Sequence, residues 1–99
     1  MLAMIEQRQR DYKIKGIINF DTVTQLYKSG SLLIDRHAEV HFDFSEVDQA
    51  DSSAVALLLN WLRYAKKKKR KLLFHHIPAQ LLEIANVCEV MPFLQKHKD

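Results

Sequence analysis

The chain has 99 residues, of which 47% are hydrophobic and 27% charged, a composition typical of one globular domain and unlike that of a disordered segment. Fifteen Lys and Arg against twelve Asp and Glu give a net charge of +3, which is too small to indicate nucleic-acid binding. The longest apolar run, Ala54–Leu59, is far shorter than the ~20 residues that span a bilayer, and the first ten residues contain no apolar signal core. With a single cysteine, Cys88, no internal disulfide can form, so we expect a cytoplasmic protein.

The first third of the chain predicts two strands and a short helix. Residues 4–10 are compatible with an edge strand, and residues 12–18 alternate apolar and polar side chains, as a strand does. Residues 19–22 (Asn-Phe-Asp-Thr) offer helix caps, and apolar residues follow at helical spacing. We expect this helix to end at Ser29-Gly30, because glycine tolerates the left-handed conformation of a helix C-terminus.

The middle of the chain carries the strongest pattern. Alternation predicts a third strand over Glu39–Phe44, and residues 45–51 predict a loop. Asp51 can cap a helix that runs to about Lys67. Helical spacing predicts a buried face made of Ala54, Val55, Leu58, Trp61, Leu62 and Ala65. The opposite face is only partly polar and holds Ser53, Ala56, Leu57, Asn60, Arg63, Tyr64 and Lys67. Such a face indicates either isolated exposed apolar residues or a surface that docks on another protein.

The last third predicts one more strand, over residues 71–74, and a helix that begins near Ile77-Pro78. The apolar side of this helix would consist of Leu81, Leu82, Ile84, Ala85 and Cys88, and Phe93-Leu94 would pack behind it. The resulting order of strand, strand, helix, strand, helix, strand, helix favours a small α/β domain.

Metal and catalytic sites are not expected. His37 and His41 are four residues apart, which on a strand is roughly 13 Å, too far to share an ion. Adjacent His75 and His76 would point to opposite faces of a strand. Cys88 lies on an apolar helix side, which is typical of a small buried residue. The sequence has no glycine-rich phosphate loop and no nucleophile elbow, so we expect no enzyme, no cofactor and no metal.

Six consecutive basic residues occupy Lys66–Lys71. They can end a helix and form a solvated turn, since cations complement the carbonyl end of the helix dipole. They can also make accessory contact with an anionic membrane surface. No aromatic residue interrupts the run, so base stacking and nucleic-acid binding are not predicted.

Asp51-Ser52-Ser53 contains one hydroxyl more than helix capping needs. An exposed hydroxyl here could contact a partner or accept a phosphate. A phosphate would gain from the helix dipole but would be repelled by Asp48 and Asp51, so modification would change this surface strongly.

Residues 40–59 (VHFDFSEVDQADSSAVALLL) resemble the signature of the STAS domain. In that family a strand with a hydrophobic-Asp-hydrophobic pattern leads through a loop to a helix that opens with Asp-Ser/Thr. Residues 15–19 (Lys-Gly-Ile-Ile-Asn) are similar to an earlier strand end of the family. The resemblance implies one STAS domain over residues 1–99, with its motif region at about 40–60. It also implies an α/β fold in which helices pack mainly on one face of a small mixed β-sheet.

Two kinds of STAS protein fit the resemblance. Anti-sigma factor antagonists carry a phosphorylatable serine after the aspartate, here Ser52, but usually continue with Gly-Leu-Gly where this chain has Ala54-Val55-Ala56. MlaB-like cytoplasmic subunits of Mla-type ABC transporters, which serve phospholipid transport and outer-membrane lipid asymmetry, carry an Ala-Leu-Leu-Leu helix start and a lysine-rich helix end. Residues 56–59 and 65–68 look like those features, so the transporter subunit is the preferred interpretation.

The transporter interpretation implies a non-enzymatic protein that binds the ATPase subunit and, through it, the membrane permease. The docking surface of the family lies at the start of the motif helix and the preceding loop. Carried over to this sequence, the most sensitive contact is Ser52. The other positions are Asp51, Ser53, Ala56, Leu57 and Asn60, then Arg63 at the edge, and less strongly Asn19 and Asp21.

Overall fold

Four strands and three helices follow one another in the predicted order. The computed structural model describes residues 3–8 and 11–87, and the expectations for the side chains of Ile84, Ala85, Cys88, Phe93 and Leu94 lie outside that description. The elements are β1 (Met4–Arg8), β2 (Asp11–Ile18), α1 (Val23–Arg36), β3 (Glu39–Ala50), α2 (Ser52–Lys67), β4 (Lys71–His75) and α3 (Ala79–Val87). Within the described ranges, no helix is both long and apolar enough to cross a membrane.

The strands form one sheet in the order β1-β2-β3-β4. β1 is antiparallel to β2, whereas β2, β3 and β4 run parallel to one another. Parallel neighbours need crossover connections, and the right-handedness of such crossovers puts α1 and α2 on the same face. The two helices pack against each other there. The predicted mixed sheet with helices on one face is therefore confirmed.

Alternation along the strands separates a buried sheet face from an open one. Side chains that point toward the helices are buried, among them Ile14, Phe42, Phe44 and Phe74. Trp61 of α2 packs on Phe42 with ring centroids 4.6 Å apart. The side chains between these positions point to the opposite face, which carries most of the charged groups of the strands.

Helix α1 is longer than predicted, because Gly30 lies inside it and does not end it. Leu26, Gly30 and Ile34 are spaced four residues apart and are all buried. A Cβ atom on Gly30 would lie 2.5 Å from Cε2 and Cζ2 of Trp61. Gly30 is therefore a point of close helix contact, and α1 continues to Arg36 because Ile34 extends its buried side.

Strand β3 extends through the segment that was predicted as a loop. Its second half pairs with β2 from Glu46, opposite Lys15, to Ala50, opposite Ile18. Glu46 accepts ion pairs from Lys13 at 3.3 Å and Lys15 at 3.6 Å. The loop prediction was wrong because it relied on apolar alternation, whereas this half of β3 is held by backbone pairing and charged cross-strand contacts.

Candidate functional site

The carboxyl ends of β2 and β3 lie side by side and bring two connections together. The amide of Asp51 donates a hydrogen bond to the carbonyl oxygen of Ile18 at 3.1 Å. The turn between β2 and α1 therefore lies next to the first turn of α2. Loops at the carboxyl ends of parallel strands are a common place for binding residues.

The first turn of α2 distinguishes its two serines. The Asp51 carboxylate accepts hydrogen bonds from the amide of Ser53 at 2.8 Å and from its hydroxyl at 2.5 Å. The predicted capping role of Asp51 is thereby confirmed. Ser52 is exposed, and no residue among those described accepts or donates a hydrogen bond to its hydroxyl. Ser52, and not Ser53, is the hydroxyl available to a partner or a modifying enzyme.

Four of the predicted site residues form an exposed row along α2. Ser52, Ala56, Asn60 and Arg63 are all exposed and recur at spacings of four, four and three residues, so they lie on one face of the helix. We call this row the α2 stripe. Its first half consists of small side chains, which allow another surface to approach the helix backbone closely.

Leu57 does not belong to this surface. Its side chain is 1% exposed and part of the hydrophobic core. Helix α2 is flanked by α1 on one side and by α3 on the other, so its buried arc is wider than that of a helix at the margin of a domain. The prediction that Leu57 takes part in docking was wrong for this reason.

The turn between β2 and α1 contributes differently from what the sequence predicts. Asn19 Oδ1 accepts hydrogen bonds from the amides of Asp21 at 2.9 Å and Thr22 at 3.1 Å, so Asn19 shapes the turn. Asp21 is exposed. Phe20, which the sequence analysis does not single out, is 85% exposed. An aromatic residue within a polar capping segment is a signal that could have identified it.

Charged groups cover the open face of the sheet near β3. Asp43 is only 6% exposed, although it lies on this face. Burial by itself raises the pKa of Asp43, but hydrogen bonds from Ser45 and His76 and the charge of Lys13 outweigh it and hold the pKa below its ordinary value. On Lys13, the contact with Glu46 is the largest effect and raises the pKa.

Three potential metal ligands from three strands also meet on the open face. One ligand atom each of Asp11, His41 and His75 lies within 4.8 Å of the others. The sequence argument missed this group because it compared histidines close along the chain, whereas the sheet aligns residues from β2, β3 and β4. The expectation that His75 and His76 point to opposite faces was also wrong. His76 has a φ of 57° and its Nδ1 lies 3.2 Å from Asp43 Oδ1, on the same face as His75.

The basic run begins at the end of α2 and continues through a turn into β4. Lys66–Lys69 are exposed, and Lys69 has a φ of 58°. Arg70 donates to the carbonyl oxygen of Asp35 at 3.0 Å. Tyr64 donates to the carboxylate of Asp35 at 2.8 Å, a hydrogen bond that raises the pKa of the tyrosine. The predicted helix end and solvated turn are confirmed.

A family model described as "Mlab, STAS domain" matches residues 5–94. The chain belongs to the MlaB STAS-domain family. The signature segment that suggested a STAS domain forms the second half of β3 and the first turns of α2, so the resemblance and the candidate site fall on the same residues. No curated protein sequence matches the chain.

Solved structures show the same fold as this MlaB-family chain. A chain of the Acinetobacter MlaFEDB complex in an ATP-bound conformation has a TM-score of 0.72 at 23% identity, over 95% of this chain and 97% of that one. The anti-sigma factor antagonist SpoIIAA in its unphosphorylated form has a TM-score of 0.70 at 17% identity, over 98% and 85%. Phosphorylated SpoIIAA of Bacillus has a TM-score of 0.69, also at 17% identity, over 98% and 88%.

Proposed function

We propose that the chain is a non-enzymatic cytoplasmic subunit of an Mla-type ABC transporter. In this role it binds the ATPase subunit and, through it, the permease, and supports phospholipid transport that maintains outer-membrane lipid asymmetry. The observation that carries the proposal is the match of the MlaB family model to residues 5–94. The likeness to a chain of the MlaFEDB complex supports a place in such an assembly.

The proposed docking surface combines the α2 stripe with the neighbouring turn. Ser52 and Ala56 are small and exposed, so a partner can reach the helix closely. Phe20 offers an aromatic side chain beside them, and Arg63 a cation at the far end of the stripe. Aromatic residues and arginine are enriched in protein interfaces and among the residues that contribute most to binding. Asp21, Asp51 and Asn60 supply a polar margin.

Replacing Ser52 by Arg is expected to weaken binding to the ATPase subunit by at least about 30-fold, which corresponds to about 2 kcal/mol. The reason is that a long charged side chain would stand where the stripe is flattest. The measurement is calorimetric titration of the purified ATPase subunit with the wild-type chain and the variant. The matched control is Gln7→Arg, an equally exposed position on β1, and it should bind as the wild type does.

Normal affinity of the Ser52→Arg variant, with Gln7→Arg unchanged, would contradict the docking surface. If the wild-type chain has no affinity for the ATPase subunit, the transporter role itself fails. Circular dichroism spectra of the two variants should match the wild type, because both positions are exposed.

The alternative is an anti-sigma factor antagonist that is regulated by phosphorylation of Ser52. The exposed hydroxyl of Ser52 and the likeness to SpoIIAA favour it. Affinity purification of the chain from its own cells, with identification of the bound proteins, distinguishes the two roles. An ABC-type ATPase with a permease supports the transporter, whereas a small kinase and phosphate on Ser52 support the antagonist.

The basic run is proposed to make peripheral contact with the anionic membrane surface. Helix α2 has 16 residues and is therefore about 24 Å long. Its first turn belongs to the docking surface and its last turn carries Lys66 and Lys67, so the two contacts would be made at opposite ends of one helix. Lys68 lies 4.0 Å from Asp35 and Lys71 3.7 Å from Glu39, which leaves Lys66, Lys67 and Lys69 as the stronger lipid candidates.

Replacing Lys66 and Lys67 together by Glu is expected to abolish binding to vesicles that contain anionic lipid. Each lysine near such a surface contributes about 1 kcal/mol, and reversal replaces attraction by repulsion. Co-sedimentation with vesicles at low and high salt measures the effect, and Thr24→Glu with Gln25→Glu on α1 is the control of equal added negative charge. Affinity for the ATPase subunit should not change, and equal sedimentation of the variant and the wild type would refute the contact.

A further inference from the structure

The strongest unassigned cluster lies on the open face of the sheet, away from the α2 stripe. Asp11 belongs to β2, His41 to β3 and His75 to β4. Each side chain is half-buried, and the three ligand atoms lie within 4.8 Å of one another. We propose that Asp11, His41 and His75 bind a divalent transition-metal ion, with zinc as the best match.

The two histidines present their nitrogens to each other. His41 Nδ1 lies 2.7 Å from His75 Nε2, and the ring planes are nearly parallel, inclined by 15°. Two ring nitrogens at this distance need a shared proton or a cation between them, because two lone pairs would repel each other. In a tetrahedral zinc site the same nitrogens would be about 3.3 Å apart, given Zn–N bonds of about 2.05 Å. Small rotations of the half-buried rings would achieve this separation.

Glu39 holds His41 in the orientation that a metal ligand needs. Its Oε2 lies 2.6 Å from His41 Nε2, and its Oε1 lies 3.7 Å from Lys71 Nζ. When Nε2 donates its proton to this carboxylate, Nδ1 of a neutral ring carries the lone pair toward His75. Histidines that bind metals almost always donate their other ring proton to a carboxylate, a carbonyl or water, and here the carboxylate is already in place.

The donor set selects the ion. Two imidazole nitrogens and one carboxylate oxygen suit zinc and its first-row neighbours, whereas magnesium and calcium prefer oxygen ligands. Three protein ligands on an open sheet face would leave further positions to water. The ion would join β2, β3 and β4 on the face that no described helix covers, and this role does not depend on the transporter assignment.

The test uses the full chain without a histidine tag, stripped with a chelator and titrated with zinc chloride against a chromophoric competitor. We expect one zinc ion per chain and a thermal midpoint that rises when zinc is added, because the ion binds the folded chain. His75→Gln and Asp11→Asn should each lose more affinity than the tenfold to hundredfold, on the order of which Glu39→Gln should cost as the partner of a ligating histidine. His37→Gln, an exposed histidine outside the cluster, should bind zinc as the wild type does.

Two outcomes would overturn the site. One is the absence of saturable zinc binding at equimolar protein and metal. The other is zinc affinity in both His75→Gln and Asp11→Asn equal to that of the wild type. Asp11 and His75 are not in the hydrophobic core, so these variants should remain folded, and their circular dichroism spectra verify this.

Discussion

Replacing Leu58 by Asp is expected to leave the chain unfolded at room temperature. Leu58 is 0% exposed and lies in the core beneath α2. An unpaired carboxylate there would cost several kcal/mol, and the packing of the leucine would be lost as well. Domains of this size have a free energy of unfolding of roughly 5–15 kcal/mol, so this change removes most or all of it. Circular dichroism and thermal melting measure the result.

The control for Leu58→Asp is the same substitution at Leu32. This leucine is 55% exposed on α1, so the new carboxylate would remain in water and the melting temperature should change little. A cooperative transition of the Leu58→Asp variant near the wild-type temperature would show that the orientation of α2 is wrong.

Replacing Gly30 by Ala should destabilise the domain, although the same change usually stabilises a helix by about 1 kcal/mol. The added Cβ would lie 2.5 Å from the ring of Trp61, which is fully buried and cannot move into solvent. Trp61 Nε1 also donates to the carbonyl oxygen of Tyr27 at 3.2 Å, one turn before Gly30, so a shift of the ring would weaken this bond. We expect a net loss of about 1–3 kcal/mol, the usual cost of overpacking.

Urea unfolding of Gly30→Ala, compared with Ser29→Ala, isolates the steric effect. Ser29 precedes Gly30 in the same helix and is only half-buried, so its replacement tests helix propensity with little change in packing. Greater stability of Gly30→Ala than of the wild type would contradict the close contact between α1 and α2.

The sequence predicts the fold well because its main elements bury one side. Alternation in β3 and helical spacing in α2 gave the element types, and the order of elements gave the fold class. Errors arose where tertiary contacts override local signals. Gly30 looks like a helix end but faces Trp61, and residues 45–50 look like a loop but pair with β2.

The candidate site was predictable in part for the same reason. Ser52, Ala56 and Asn60 could be placed on one helix face from spacing alone, and the structure shows all three exposed. Leu57 could not be excluded, because its burial depends on α1 and α3 flanking α2. Asp11, His41 and His75 are about thirty residues apart along the chain, so only the pairing of β2, β3 and β4 brings them together.

The parallel pairing of β2 with β3 has a consequence for how the chain folds. β3 can reach β2 only after the chain has passed through α1, so this pairing closes a long loop, whereas β1 and β2 are neighbours in sequence. The hydrogen bond from Asp51 to Ile18, which places the first turn of α2 beside the preceding turn, depends on that late event. A partly folded chain would therefore lack the surface that includes Ser52, and a partner that recognises this surface would select chains that have finished folding.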